Sequence, residues 1–405
     1  MASSDEEFKR SRNIRKLESS ATIAVTQEAS KRRSAGEKVI DLSAGEPDFA
    51  TPKLIADAGA RAIHDGFTHY PPNAGTLDLR ASVAKHLSLL SRGRPVNADH
   101  IVVSTGAKQS LFNACFSLFG PHDTVLIPSP AWVSYPEIVK LARAEPKLVE
   151  GDPEFGLKVS VDDLQEASDA NTAGLILCSP SNPTGAVYTR SELQAILEWA
   201  VAKDIWVISD EIYRRIHYAP GPAPSVLDLP DELLDKVVVI YGASKAYAMT
   251  GWRIGIALAP SPVAKAMAAL QSHVTSGANH PAQVAATVAF KDARVEIEIE
   301  RMVDAFRHRR DMVVEYFRKS LPGVEFVEPL GAFYFFFRVD SCFGGDVDGS
   351  VEFCRRLLAD HGVAMVPGVA FGDDRWVRMS FAAAEAEIEE ALKQLGRFMI
   401  GLGGV

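Results

Sequence analysis

Between residues 100 and 260 the chain repeats one pattern: a short apolar run, a turn of small or polar residues, then a helical stretch. His100-Ile101-Val102-Val103 breaks at Ser104-Thr105-Gly106-Ala107. Val125-Leu126-Ile127 ends in the proline-bounded Pro128-Ser129-Pro130-Ala131-Trp132-Val133-Ser134-Tyr135-Pro136. Gly174-Leu175-Ile176-Leu177-Cys178 runs into Ser179-Pro180-Ser181-Asn182-Pro183-Thr184-Gly185, residues 205–209 end at Asp210, and Val237-Val238-Val239-Ile240 opens onto Gly242-Ala243-Ser244-Lys245. Runs rich in β-branched residues read as buried strands, and their alternation with helices predicts an α/β fold: a mostly parallel sheet flanked by helices. Such sheets bind ligands beyond the carboxyl ends of their strands, which draws attention to the polar residues just past each run.

Lys245 is the most telling of these. A lysine delivered into the protein by a buried strand is costly to keep charged, so its pKa falls and its neutral amine becomes a nucleophile toward carbonyls. Arg253, eight residues on, carries a planar fork of donors suited to phosphate, and Ser244 adds a hydroxyl beside the amine. Together they point to a phosphorylated aldehyde held as a Schiff base. Asp210, just past a strand, is a carboxylate that needs a cationic partner, and Arg378, inside the apolar run Trp376-Val377-Arg378-Met379-Ser380-Phe381, needs an anionic one. The turn before the helix at Lys108 offers Gly106 and Ala107 as an N-terminal anion site, a geometry that recurs in many folds.

The 405 residues suffice for a large core and two domains. The smaller α+β unit is expected from residues 17–49 with 291–405, the larger from 50–290, and residues 1–16 form a charged arm. The helical pattern is expected over 17–37 and from 262 to 317, interrupted at residues 276–281, where His280 reads as structural. A net charge of −9 argues against a nucleic-acid surface, and no segment reaches the length of a membrane span, so a cytoplasmic protein is expected. Cys115, Cys178, Cys342 and Cys354 are too scattered for a disulfide framework or a zinc site, and no metal is expected.

The run Ser244-Lys245, followed by Met249-Thr250-Gly251-Trp252-Arg253-Ile254-Gly255, resembles the pyridoxal-phosphate lysine motif of the class I aminotransferases, of fold type I. The similarity extends through nearly the whole chain, taking in Gly45-Glu46-Pro47-Asp48-Phe49, Tyr70 with Gly75, Leu79 and Arg80, Asn182-Pro183-Thr184-Gly185, Asp210 with Tyr213, Gly331-Ala332-Phe333-Tyr334 and Val366-Pro367-Gly368. The resemblance implies pyridoxal 5'-phosphate on Lys245, which also serves as the catalytic base. It places Asp210 at the pyridine nitrogen, Tyr213 and Asn182 at the phenolic oxygen, and Trp132 flat on the ring. The phosphate falls to Arg253, Ser244, Gly106, Ala107 and Lys108, with Tyr70 reaching across a homodimer interface to complete the partner's site. Gly45, Asn182, Trp132 and Arg378 are implied for substrate, Arg378 gripping the α-carboxylate, with Phe333 as a pocket wall. Without the resemblance, Gly45 could equally mark a plain turn and Trp132 a core aromatic.

Within that family, Lys108-Gln109, the residues after Lys245, and Ser20-Ala21-Thr22-Ile23-Ala24-Val25 resemble the bacterial gamma subgroup of aspartate aminotransferases, some of which also take prephenate. The expected reaction is therefore amino transfer between aspartate and 2-oxoglutarate, or with prephenate and glutamate. Lys108 would meet the distal carboxylate of the substrate, or else face the phosphate or solvent. Glu18 stands where subgroup members can carry a basic residue, and Ala131 where an aromatic often precedes the tryptophan. An aromatic or alanine aminotransferase or a β-lyase would share every cofactor residue. A non-catalytic ligand sensor would need a DNA-binding module, and none is read before Leu17.

Overall fold

The computed structural model describes residues 10, 11, 13–15, 17 and 21–404. The expected arm lies mostly outside these residues, as does Glu18.

In chain order the strands are β1 (Ile40–Asp41), β2 (Ile101–Thr105), β3 (Thr124–Ser129), β4 (Glu145–Glu150), β5 (Thr172–Cys178), β6 (Trp206–Asp210), β7 (Val237–Gly242), β8 (Ile254–Leu258), β9 (Phe326–Val327), β10 (Tyr334–Arg338), β11 (Val363–Ala364), β12 (Val366–Pro367) and β13 (Trp376–Ser380). The large sheet is seven-stranded, in the order β2-β8-β7-β6-β5-β3-β4, and only β8 runs against its neighbours. That reversal has a simple cause. The connection from β7 to β8 holds no crossover helix, so the chain returns beside β7 antiparallel, with Gly242 opposite Gly255. Lys245 and Arg253 both lie on this short connection.

Alternate residues of the central strands enter different cores. Val207, Val237 and Val239 pack on one face with Leu79, Leu193 and Ala285, whereas Ile208, Val238 and Ile240 pack on the other with Leu111, Ile138 and Met267. Strands covered on both faces need apolar residues at every position, which is why these runs do not alternate with polar residues. The helices Ala107–Leu118, Ser134–Leu141 and Ser261–Val274 form the second layer. Helix Arg190–Ala202 begins where Thr189 caps it, the Thr189 side chain accepting from Glu192 N while the Glu192 carboxylate accepts from Thr189 N.

A second, four-stranded antiparallel sheet runs β12-β13-β10-β9. Its aromatic strand β10 stacks Phe336 on Trp376 at 5.2 Å, nearly parallel. Strand β1 pairs in parallel with β11, and Ser380 N donates to Leu42 O, so the segment leading to Gly45 is tied to this second sheet. The helix expected over 17–37 spans Ala21–Ser34, and the strand expected at residues 324–327 shrinks to Phe326–Val327.

Candidate active site

A pocket of about 410 Å³ opens at the carboxyl ends of the parallel strands, a size typical of small-molecule sites. Gly45, Ala107, Lys108, Trp132, Asn182, Asp210, Tyr213, Ser244, Lys245, Arg253 and Arg378 all line it. The large sheet supplies most of these residues, and β13 with residues 43–46 closes the opposite side.

Arg378 is 1% exposed, yet no carboxylate pairs with it among the described residues. Its Nη1 donates to Asn182 Oδ1 at 2.9 Å and its Nη2 to Ser43 O at 2.7 Å, its guanidinium lies over the rings of Tyr334 and Phe371, and its Nε has no partner. Burial pulls its pKa below the ordinary value. The anionic partner expected for Arg378 is thus not found among the described residues, nor is an ion pair with a nearby glutamate. Because arginine can only donate, Asn182 must turn its oxygen to Arg378, which leaves its NH₂ free to donate elsewhere.

Asp210, the last residue of β6, is 3% exposed. Its Oδ2 accepts from the Tyr135 hydroxyl at 2.8 Å and its Oδ1 from Ile212 N at 3.2 Å. Burial raises its pKa to about 6 against these donors. Among the described residues no cation pairs directly with it, although the Lys245 charge acts on it from further off. Lys245 donates from Nζ to Gly45 O, with the rings of Tyr213 and Phe333 at 5.8 and 5.9 Å. Burial, chiefly, lowers its pKa to about 8; Glu46 and Asp210 oppose the shift, while Arg378 and Arg253 add to it. Tyr213 shares a hydrogen bond of 2.8 Å with Tyr334, and Phe333 stands edge-on behind it rather than lining the pocket.

At the other end, Arg253 adopts a left-handed backbone (φ 58°), unusual for a residue with a side chain, and donates from Nη1 to Thr250 O. Gly106 precedes helix Ala107–Leu118 with φ +82°, and a Cβ there would lie 2.2 Å from Arg253 Nη2. Glycine is what lets the guanidinium rest on the helix start. Lys108 Nζ stands 4.9 Å above the Trp132 ring, and burial, then Arg253, lowers its pKa.

Tyr70 is not brought to this pocket. It is 89% exposed and lines a separate surface depression with residues 68–71 and 275–281. The sequence assigns no role to Tyr135 or Tyr334, whose hydroxyls hold Asp210 and Tyr213, or to the Thr250 to Glu46 hydrogen bond of 2.7 Å at the rim. Tyr135 follows Trp132 by one helical turn, the one signal that could have linked them. Thr22, Ile23, Thr26 and Gln27, on the first helix, also line the opening. Among the described residues no cluster could hold a metal ion, no helix is long and apolar enough to cross a membrane, and all four cysteines are free.

Comparison with known proteins identifies the family. The sequence profile of the family described as "Aminotransferase class I and II" matches residues 37–395. A protein of Petunia hybrida, named as a bifunctional aspartate aminotransferase and glutamate/aspartate-prephenate aminotransferase, is 41% identical over 396 residues, covering 96% of this chain and 82% of its own. The aspartate aminotransferase of Bacillus subtilis is 39% identical, covering 97% and 99%. The solved aspartate aminotransferase of Thermus thermophilus with maleate superposes with a TM-score of 0.91 at 36% identity, covering 96% and 99%. The likeness therefore runs through nearly the whole of the α/β architecture, and this chain belongs to the class I and II aminotransferases.

Proposed function

We propose that the protein uses pyridoxal phosphate to move an amino group between aspartate and 2-oxoglutarate. The observation that carries this reading is the buried Arg378 with an unpartnered Nε, facing the same pocket as Lys245 and Asp210. A cation so placed costs stability unless an anion arrives to meet it, and an amino acid's α-carboxylate matches its fork.

The residues present suit the cofactor. Asp210 is a buried carboxylate with no ion-paired cation among the described residues, which suits a protonated pyridine nitrogen. Arg253, resting on Gly106 beside the free N–H groups of a helix start, suits a phosphate. Ser244 and Trp132 line the same pocket and add a hydroxyl and a flat aromatic face. When bound, the cofactor would supply an electron sink for the pair left as the substrate Cα–H bond breaks.

The chain's own residues do the rest. Lys245 Nζ would hold the cofactor's aldehyde carbon and would serve as the base that takes the proton from the substrate Cα; its lowered pKa keeps much of the amine neutral near pH 8. Arg378 and the Asn182 amide orient the α-carboxylate, with Gly45 alongside. Tyr213 offers its hydroxyl beside Lys245, and Lys108, which lines the same pocket, would meet a distal carboxylate. The aspartate reading draws on that lysine and on the names of the relatives. Tyr70, exposed on its own protomer, is proposed to complete the site of a partner in a homodimer. A panel of amino donors with 2-oxoglutarate tests the substrate: aspartate should give the highest kcat/KM, and preference for an aromatic donor or alanine would overturn it.

A further inference from the structure

Asp210 is held almost entirely by neutral donors. Facing it are Tyr135 from helix Ser134–Leu141, Cys178 from the neighbouring strand β5, Lys245 from the β7–β8 connection, and its chain neighbour Glu211. Glu211 turns away, accepting from Ser209, Ser225 and Val226 N, with Arg214 at 3.8 Å. The hydroxyl of Tyr135 makes the one side-chain hydrogen bond to the Asp210 carboxylate seen among the described residues, at 2.8 Å.

Tyr135 is itself 3% exposed, and its ring meets Trp132 edge-on, with centroids 5.3 Å apart at 84°. Its hydroxyl is also within hydrogen-bond reach of the Cys178 thiol. Burial, and then the adjoining Asp210 and Cys178, push the Tyr135 phenol well above its ordinary pKa, so its proton stays on the oxygen throughout the working range. A carboxylate can only accept, which fixes the direction of the O–H.

We propose that Tyr135 is a positioning residue for amino transfer: its hydroxyl holds the Asp210 carboxylate in place, and its ring braces Trp132. One side chain thus sets two walls of the pocket, the carboxylate and the flat aromatic, that the cofactor reading assigns to one heteroaromatic ring. The inference rests on that reading. Removing the hydroxyl leaves Asp210 with a backbone N–H alone, in surroundings that already favour its neutral form.

The test compares Tyr135→Phe and Tyr135→Leu with wild type in the full chain, measuring pyridoxal phosphate affinity by tryptophan fluorescence across pH, together with kcat and KM for aspartate. Tyr135→Phe should bind the cofactor about tenfold more weakly or worse, the scale of a lost hydrogen bond to a charged group. The acid limb of its affinity should move to higher pH, and kcat should fall while KM for aspartate stays unchanged. Tyr135→Leu should add little further loss of affinity. Wild-type affinity and acid limb in Tyr135→Phe, with impairment only in Tyr135→Leu, would show that the ring packs and the hydroxyl does nothing. A wild-type protein that binds no pyridoxal phosphate would instead overturn the cofactor reading beneath the inference.

Discussion

Arg378 on β13 donates to Asn182 beyond the end of β5, a 2.9 Å hydrogen bond that joins the two sheets inside the pocket. Both side chains are buried, and the arginine's remaining Nε is unpartnered. Replacing Arg378 by methionine should lower kcat/KM for aspartate by about 100-fold or more, the scale of a buried charge pair losing one partner. The same change removes an uncompensated buried cation, so the thermal midpoint of the cofactor-free protein should hold or rise. Steady-state kinetics and calorimetry on one preparation decide both points. A drop of several degrees would mean that Arg378 chiefly supports the fold.

Asp210 makes a complementary prediction. Its folded pKa is raised to about 6 from an ordinary value of 3.8, so the folded protein binds the extra proton and loses stability as pH climbs from one value to the other. Above about 6 the full penalty is present. Asp210→Asn removes it, so the cofactor-free variant should melt no lower than wild type at neutral pH, and the gap should close as pH is lowered through that window. Its affinity for pyridoxal phosphate should fall. A variant that melts well below wild type at neutral pH contradicts the assignment of Asp210 as a strained acceptor.

Burial brings the Lys245 amine to about 8, far below the ordinary lysine value. The rate at which the cofactor-free protein captures pyridoxal phosphate should therefore rise with pH and level off near 8, followed by stopped-flow absorbance. A rate still climbing steeply above pH 9 would show an ordinary, solvated lysine.

Gly106→Ala places a Cβ against Arg253 at a left-handed backbone position. The backbone strain alone costs about 1 kcal/mol, a modest shift in melting. Cofactor affinity should suffer more, by tenfold or greater on the scale of a displaced charged donor. Equal affinity in the two proteins would remove Arg253 from the phosphate's neighbourhood.

Tyr70 gives the assembly prediction. If its hydroxyl serves the partner, mixing Lys245→Ala with Tyr70→Ala subunits under exchange conditions should recover activity, because one site in each mixed dimer is intact. No recovery, with mixed dimers demonstrated by mass, would return Tyr70 to a surface role.

The architecture was legible because both-face burial leaves an unmistakable mark: Val237-Val238-Val239-Ile240 has no polar residue to spare for solvent, and residues 205–209 read the same way. The reversal of β8 was not read, although the short link from Ser244 to Arg253 contained its cause. Asp210 and Arg378 drew notice as charges in apolar company, but a sequence holds no distances. It could not show that Arg378 meets Asn182 and Ser43 in place of an acid, or that Tyr135, on helix Ser134–Leu141, reaches across to Asp210. Such contacts join segments far apart in the chain and obey no local periodicity.

The most direct test is the absorbance of the purified protein reconstituted with pyridoxal phosphate, recorded before and after aspartate alone is added. The expected result is a visible band from cofactor bound at Lys245, its loss on adding aspartate, and its return with 2-oxoglutarate. A band that ignores aspartate would contradict the proposed donor, and no band in fully reconstituted protein would contradict the assignment of Lys245 itself.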